Sequence, residues 1–121
     1  MSAVEILQAG RDRLVRDGWT WGTLATPGGE RCAVGALLGT TVLGEVNGIR
    51  KYSRDIFVAN TEELEAATYL SDVASKRMYQ AGIDGLSLNT ITNFNDGWAN
   101  SINDVLSLYD DAILNAKEAN Q

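Results

Sequence analysis

The sequence predicts an all-α fold: a compact single domain of about four main helices around a buried Cys32–Leu43 helix, with room for a small β-hairpin near Pro27. Two observations carry this. The stretch from Cys32 to Leu38 has no charged or polar break, and a segment apolar on every side belongs in an interior. Its small residues Ala33, Gly35 and Ala36, with Gly39 just beyond, let other elements approach its backbone. The flanking segments instead repeat apolar residues at helical spacing and open on capping residues.

Ser2 and Glu5 have the spacing of a capping box, and the helix they open should reach about Arg16. Ala3, Ile6, Leu7, Gly10 and Leu14, with Val15 at the margin, form its inward stripe. Arg11, Arg13 and Arg16 read as a solvated face, with phosphate binding as the alternative, and Asp17-Gly18 as a stop. Trp19 to Ala25 has strand-favouring residues. Thr26-Pro27-Gly28-Gly29 reads as a type II turn with Gly28 at positive φ, which allows but does not require a tiny hairpin of Thr23–Ala25 on Glu30–Cys32. Gly44 to Asn60 reads as a loop with one helical turn, broken by Asn47-Gly48.

Asn60 and Glu63 cap a helix expected over Thr61–Gln80, stopped by Gly82, with a turn at Ile83-Asp84-Gly85. Leu64, Ala67, Thr68, Leu70, Val73, Ala74 and Met78 should face inward. Leu88 and Ile91 suit a short helix. Asn93 to Asn100 reads as a loop of residues that hydrogen-bond their own backbone. Ser101 should cap the last helix, whose apolar positions Ile102, Val105, Leu106, Tyr109, Ala112, Ile113 and Ala116 make the cleanest pattern in the chain. It should run to about Lys117, with residues 117–121 frayed. No internal repeat or linker divides residues 1–121.

There is no histidine, which removes the commonest general base and metal ligand and points away from an enzyme. Cys32 is the single cysteine. It fits a reducing compartment, and at a helix start its thiol pKa could fall, but without a base a buried structural role is expected. No run is apolar enough to span a membrane and no secretion signal is visible, so a cytoplasmic location is expected. Residues 1–60 sum to +1 and residues 61–121 to −7, giving the net −6. That acidic half disfavours direct nucleic-acid binding.

No catalytic or metal-binding constellation emerges. Asn93, Asn95, Asp96 and Asp104 fit no register of a calcium loop, and no glycine-rich phosphate loop is present, so no metal or cofactor is expected. Asp110 and Asp111 are adjacent on a helix and splay about 100° apart. Trp19, Trp21 and Trp98 lie in loop-like segments. They either plug the ends of the core or mark a binding patch.

Three motifs recur in a recognisable order: Gly18-Trp19-x-x-Gly22, Cys32-Ala33-Val34-Gly35-Ala36-Leu37, and Asn95-Asp96 before a C-terminal helix. In this the chain resembles a group of small actinobacterial and actinophage proteins of unknown function. Phe94 stands where that group usually has tryptophan, and Gly97-Trp98-Ala99-Asn100 replaces its Pro-Gly-Arg-like turn. The resemblance implies a prokaryotic or phage origin and an intracellular setting, and brings no activity with it.

The expected function is that of a non-enzymatic binding module, phage-encoded and acting on a host or viral protein. Its partner-binding residues would be Phe94, Asn95, Asp96, Trp98, Trp19 and Trp21, because function concentrates in loops held by rigid scaffolds. The alternatives are an acidic decoy of a nucleic-acid-binding protein and, behind it, an enzyme using Asp, Asn or Tyr groups.

Overall fold

The computed structural model describes residues 1–78 and 87–120. Helix α1 spans Ala3–Asp17, α2 Ala33–Leu38, α3 Thr61–Arg77, α4 Ser87–Asn93 and α5 Ile102–Glu118. Strands β1, Val42–Val46, and β2, Ile49–Tyr52, form an antiparallel hairpin, and Ile56–Val58 makes one 3₁₀ turn. The expected end of α3 near Gln80, its stop at Gly82 and the turn at Ile83-Asp84-Gly85 lie outside the described residues. Among the described residues no helix is long and apolar enough to cross a membrane.

The compact, mostly helical fold agrees with the sequence, but all-α is too narrow, because the β1–β2 hairpin belongs to it. The predicted Cys32–Leu43 helix ends at Leu38, where Gly39 takes the left-handed conformation at φ 68° and closes the helix. Thr40, Thr41 and Val42, β-branched and poor at continuing a helix, lead into β1. The hairpin turns at Asn47 and Gly48, both at positive φ, as a two-residue hairpin connection requires. Of the hairpin for which the sequence leaves room near Pro27, the structure has one antiparallel bridge, Ala25 to Arg31. Its turn is closed by the Gly29 N–H on the Thr26 carbonyl, and it is Gly29 rather than Gly28 that takes positive φ.

Helix α2 is buried along its whole length and packs on α1, α3 and α4, while α5 lies against α1 and α3. Leu7, Leu14, Val34, Leu37, Leu70, Phe94, Leu108 and Tyr109 make up much of the core. The inward face of α3 differs from the expected one. Ala66, Ser71 and Ser75 are buried, whereas Leu64 and Thr68 are exposed. Small residues there bring the backbones of α3 and its neighbours close.

Both expected capping boxes form, at Ser2/Glu5 and at Asn60/Glu63. The cap of α5 is different. Ser101 stands at the N-cap but its hydroxyl makes no cap bond, and Asp104 instead accepts the Asn100 N–H at 2.8 Å. Asp110 and Asp111 do splay apart. Asp110 pairs with Arg11 on α1 and Asp111 with Arg77 on α3, so two exposed ion pairs clamp α5 from either side.

The C-terminal end of α2 gives three of the six arginines in residues 1–60 a structural role. A helix leaves its last carbonyls without partners, and water cannot serve them in a core. Arg13 donates to the Ala36 and Leu37 carbonyls, Arg54 to that of Leu38, and the buried Arg31 to that of Thr40 just beyond. Arg13 is thus a cap for another helix rather than part of a solvated face. Arg31 and Arg54 are in turn held by Asp17 and Glu63.

The candidate surface around Asn95

The segment expected to be a loop, Asn93–Asn100, is helical through Trp98. Helix α4 runs directly into a single π-helical turn, Phe94–Trp98, closed by the Ala99 N–H on the Phe94 carbonyl at 2.9 Å. Such wide turns are uncommon and often sit at functional sites. Phe94 and Asn95 point inward, Phe94 fully buried and Asn95 1% exposed, while Asp96 and Trp98 stay at the surface.

Asn95 ties three distant segments together. Its Oδ1 accepts the Trp19 indole N–H at 2.7 Å and the Ala33 backbone N–H at 2.9 Å. Its Nδ2 donates to the Thr20 carbonyl at 3.1 Å and to Asp96 Oδ1 at 2.8 Å. Every site on the amide is used, which is what a buried carboxamide needs to avoid a desolvation cost. Because Ala33 opens α2, Asn95 also caps that helix, together with Cys32 Sγ, which accepts the Gly35 N–H at 3.3 Å.

Each of the three sequence motifs has its reason here. Gly18 ends α1 at φ 94°. Gly22, at φ 75°, presents its N–H to Asp96 Oδ1 at 3.0 Å. Gly35 lies so close to Leu24 that a Cβ would stand 2.0 Å from its carbonyl oxygen. Cys32, Ala33 and Asn95 form the cap of α2.

The structure divides the six candidate residues. Trp19, Asn95 and Asp96 are joined by hydrogen bonds, directly or through their neighbours. Trp21 tilts against Trp19 with ring centroids 5.5 Å apart, and Trp98 stacks on Phe94 at 4.8 Å. Phe94 and Asn95 are too deep to touch a partner. Trp21, 64% exposed, Trp98, 42% exposed, and Asp96 are accessible. Neither Trp21 nor Trp98 is the core plug that the sequence also allowed. Trp19 comes nearer to it, half-buried and packed against the core. The partners Thr20, Gly22 and Ala33 act through backbone groups, which residue type does not reveal, although Gly22 and Ala33 are motif residues.

The other reactive side chains are sequestered. Burial pushes the Cys32 thiol pKa up, against the lowering that a helix start can bring. Tyr109 is fully buried, which raises its phenol pKa well above the usual value, and its hydroxyl donates to the Ala33 carbonyl at 2.6 Å. Among the described residues no three His, Cys, Asp or Glu side chains gather as a metal would require.

The sequence matches a protein family described as a family of unknown function, DUF6197, over residues 1–115. Comparison with curated proteins and with solved structures gives no match. The chain belongs to the DUF6197 family.

Proposed function

We propose that this protein is a small, non-enzymatic binding module, phage-encoded and working in the host cytoplasm, that docks on a host or viral protein through the surface around Asn95. The observation that carries the reading is a rigid polar junction with two exposed indoles at its margins. Asn95 fixes the Trp19–Gly22 segment and the π-turn together, and Trp21 and Trp98 project from those segments into water. Tryptophans on a backbone held by such hydrogen bonds lose little entropy on binding and are a residue type enriched among interface anchors.

The contact residues in this reading are Trp21, Trp98 and Asp96. Trp19, Phe94 and Asn95 hold them in place. The buried Cys32 and Tyr109, with raised pKa values, support a role without chemistry. A phage origin rests on the motif resemblance alone. The acidic-decoy alternative is weakened by the pairing of Asp110 and Asp111 with arginines, which masks part of the negative surface.

Affinity capture from host lysate with the wild type, Trp21→Ala and Trp98→Ala tests the proposal. A partner retained by the wild type should be lost about tenfold or more by at least one variant that keeps its melting temperature within a few degrees. Capture indifferent to both substitutions would overturn it.

A further inference from the structure

We infer that the segment bound at this surface is basic: the corner formed by Trp21 and Asp96 is built to receive an arginine or lysine side chain of a partner protein. The inference rests on the docking surface proposed above and specifies the chemistry of its ligand.

The Asp96 carboxylate is fixed in place. Its Oδ1 accepts the Gly22 N–H at 3.0 Å and the Asn95 Nδ2 at 2.8 Å, which sets it beside the peptide bond that follows Trp21. Its second oxygen has no partner among the described residues. Trp21 is 64% exposed and leans on Trp19, whose own indole N–H is tied to Asn95. An indole face attracts a cation through the ring quadrupole, and a carboxylate oxygen takes a charge-assisted hydrogen bond from a guanidinium or ammonium group.

Among the described residues no cation of the chain bonds Asp96. Each arginine has partners of its own, and Arg50, which comes to the same loop, donates to Thr23 Oγ1 and the Ala25 carbonyl. Arg13 serves the carbonyls of α2, and Arg11, Arg16, Arg31, Arg50, Arg54 and Arg77 pair with Asp110, Asp17, Asp17, Glu45, Glu63 and Asp111. The lysines stand on β2, α3 and α5. A net charge of −6 adds a general attraction for a basic partner.

The test uses the full chain and three capped peptides, acetyl-Gly-Arg-Gly-Arg-Gly-amide and its Gln and Glu counterparts, titrated while the tryptophan indole N–H resonances are followed by NMR. The arginine peptide should bind about threefold or more tighter than the glutamine peptide in about 20 mM salt, and that advantage should shrink in about 500 mM salt. It should also be lost in Asp96→Asn, which keeps an oxygen for the Gly22 N–H, and in Trp21→Leu, which keeps bulk without a ring face. Equal binding of the three peptides, or an arginine preference that survives both substitutions, would overturn the inference. Should Asp96→Asn fail to fold, Trp21→Leu and the salt dependence decide alone. Loss of the basic preference while Trp21→Ala still abolishes capture removes this inference and leaves the docking surface. Capture indifferent to both tryptophans removes the docking surface itself.

Discussion

The Asn95 side-chain oxygen accepts the Trp19 indole N–H at 2.7 Å, across 76 residues of sequence. Asn95→Asp keeps that acceptor but replaces the donor amide facing the Thr20 carbonyl with a second oxygen, and puts a charge beside Asp96. The substitution should cost about 2–4 kcal/mol at pH 7, measured by urea unfolding. Burial raises the pKa of the introduced carboxyl in the folded state, so the loss should lessen as acid protonates it. A variant as stable as the wild type at pH 7 would show that the junction carries no weight.

Gly35 and Gly44 should respond oppositely to alanine. At Gly35 the new Cβ would stand 2.0 Å from the Leu24 carbonyl oxygen, which also accepts the Cys32 N–H. The loop and α2 must part, at a cost of about 3 kcal/mol or more. At Gly44 nothing lies within 4 Å of the added methyl, and the change should stay within about 0.5 kcal/mol. Melting curves of the two variants decide it, and similar losses would contradict the packing described.

Ser101→Ala should be nearly silent, because the Ser101 hydroxyl makes no cap bond. Asp104→Ala should cost about 0.5–1 kcal/mol, since it removes the carboxylate that accepts the Asn100 N–H and sits in the first turn of α5. The reverse order in chemical denaturation would restore Ser101 as the working cap.

Asp17 links stability to pH. Its hydrogen bond to Arg16, and behind that the one to Arg31, hold its carboxyl well below the usual carboxylate range. A carboxylate with a depressed folded-state pKa contributes stability that is present above its unfolded pKa of about 3.9 and lost as pH falls through the folded value. Asp17→Asn should therefore be less stable than the wild type at pH 7, and the gap should narrow steadily as pH falls below about 3.9. A gap independent of pH would exclude this linkage.

Helix ends were legible where the signal is local. Ser2 with Glu5 and Asn60 with Glu63 cap as their spacing says, since both partners lie within one turn. Asn47-Gly48 signals the turn of the hairpin, but the strands on either side of it carry no clear signal. Gly44, Arg50 and Lys51 obscure the alternation of β1 and β2, and the strands are held partly from outside. Arg50 donates to the Ala25 carbonyl, and the Tyr52 hydroxyl bonds Thr23 Oγ1. The sequence marks Asn95 as a site residue but carries no sign of its burial. An Asn-Asp-Gly run normally signals a turn in water, and only the arrival of Trp19, Thr20 and Ala33 makes an interior position affordable for it. Arg13 gave no hint of its role either, because a helix face rich in arginine looks alike whether it meets water or another helix's carbonyls.

The six-residue α2 has a consequence for how the chain acquires its structure. Fewer than two turns cannot persist alone, since nucleation costs more than so few bonds return. Its N-terminus waits for Asn95 and its C-terminal carbonyls for Arg13 and Arg54. A chain cut before residue 95 should therefore leave α2 without the Asn95 part of its N-terminal cap, and the contacts that hold this helix span long sequence separations, of the kind that form slowly.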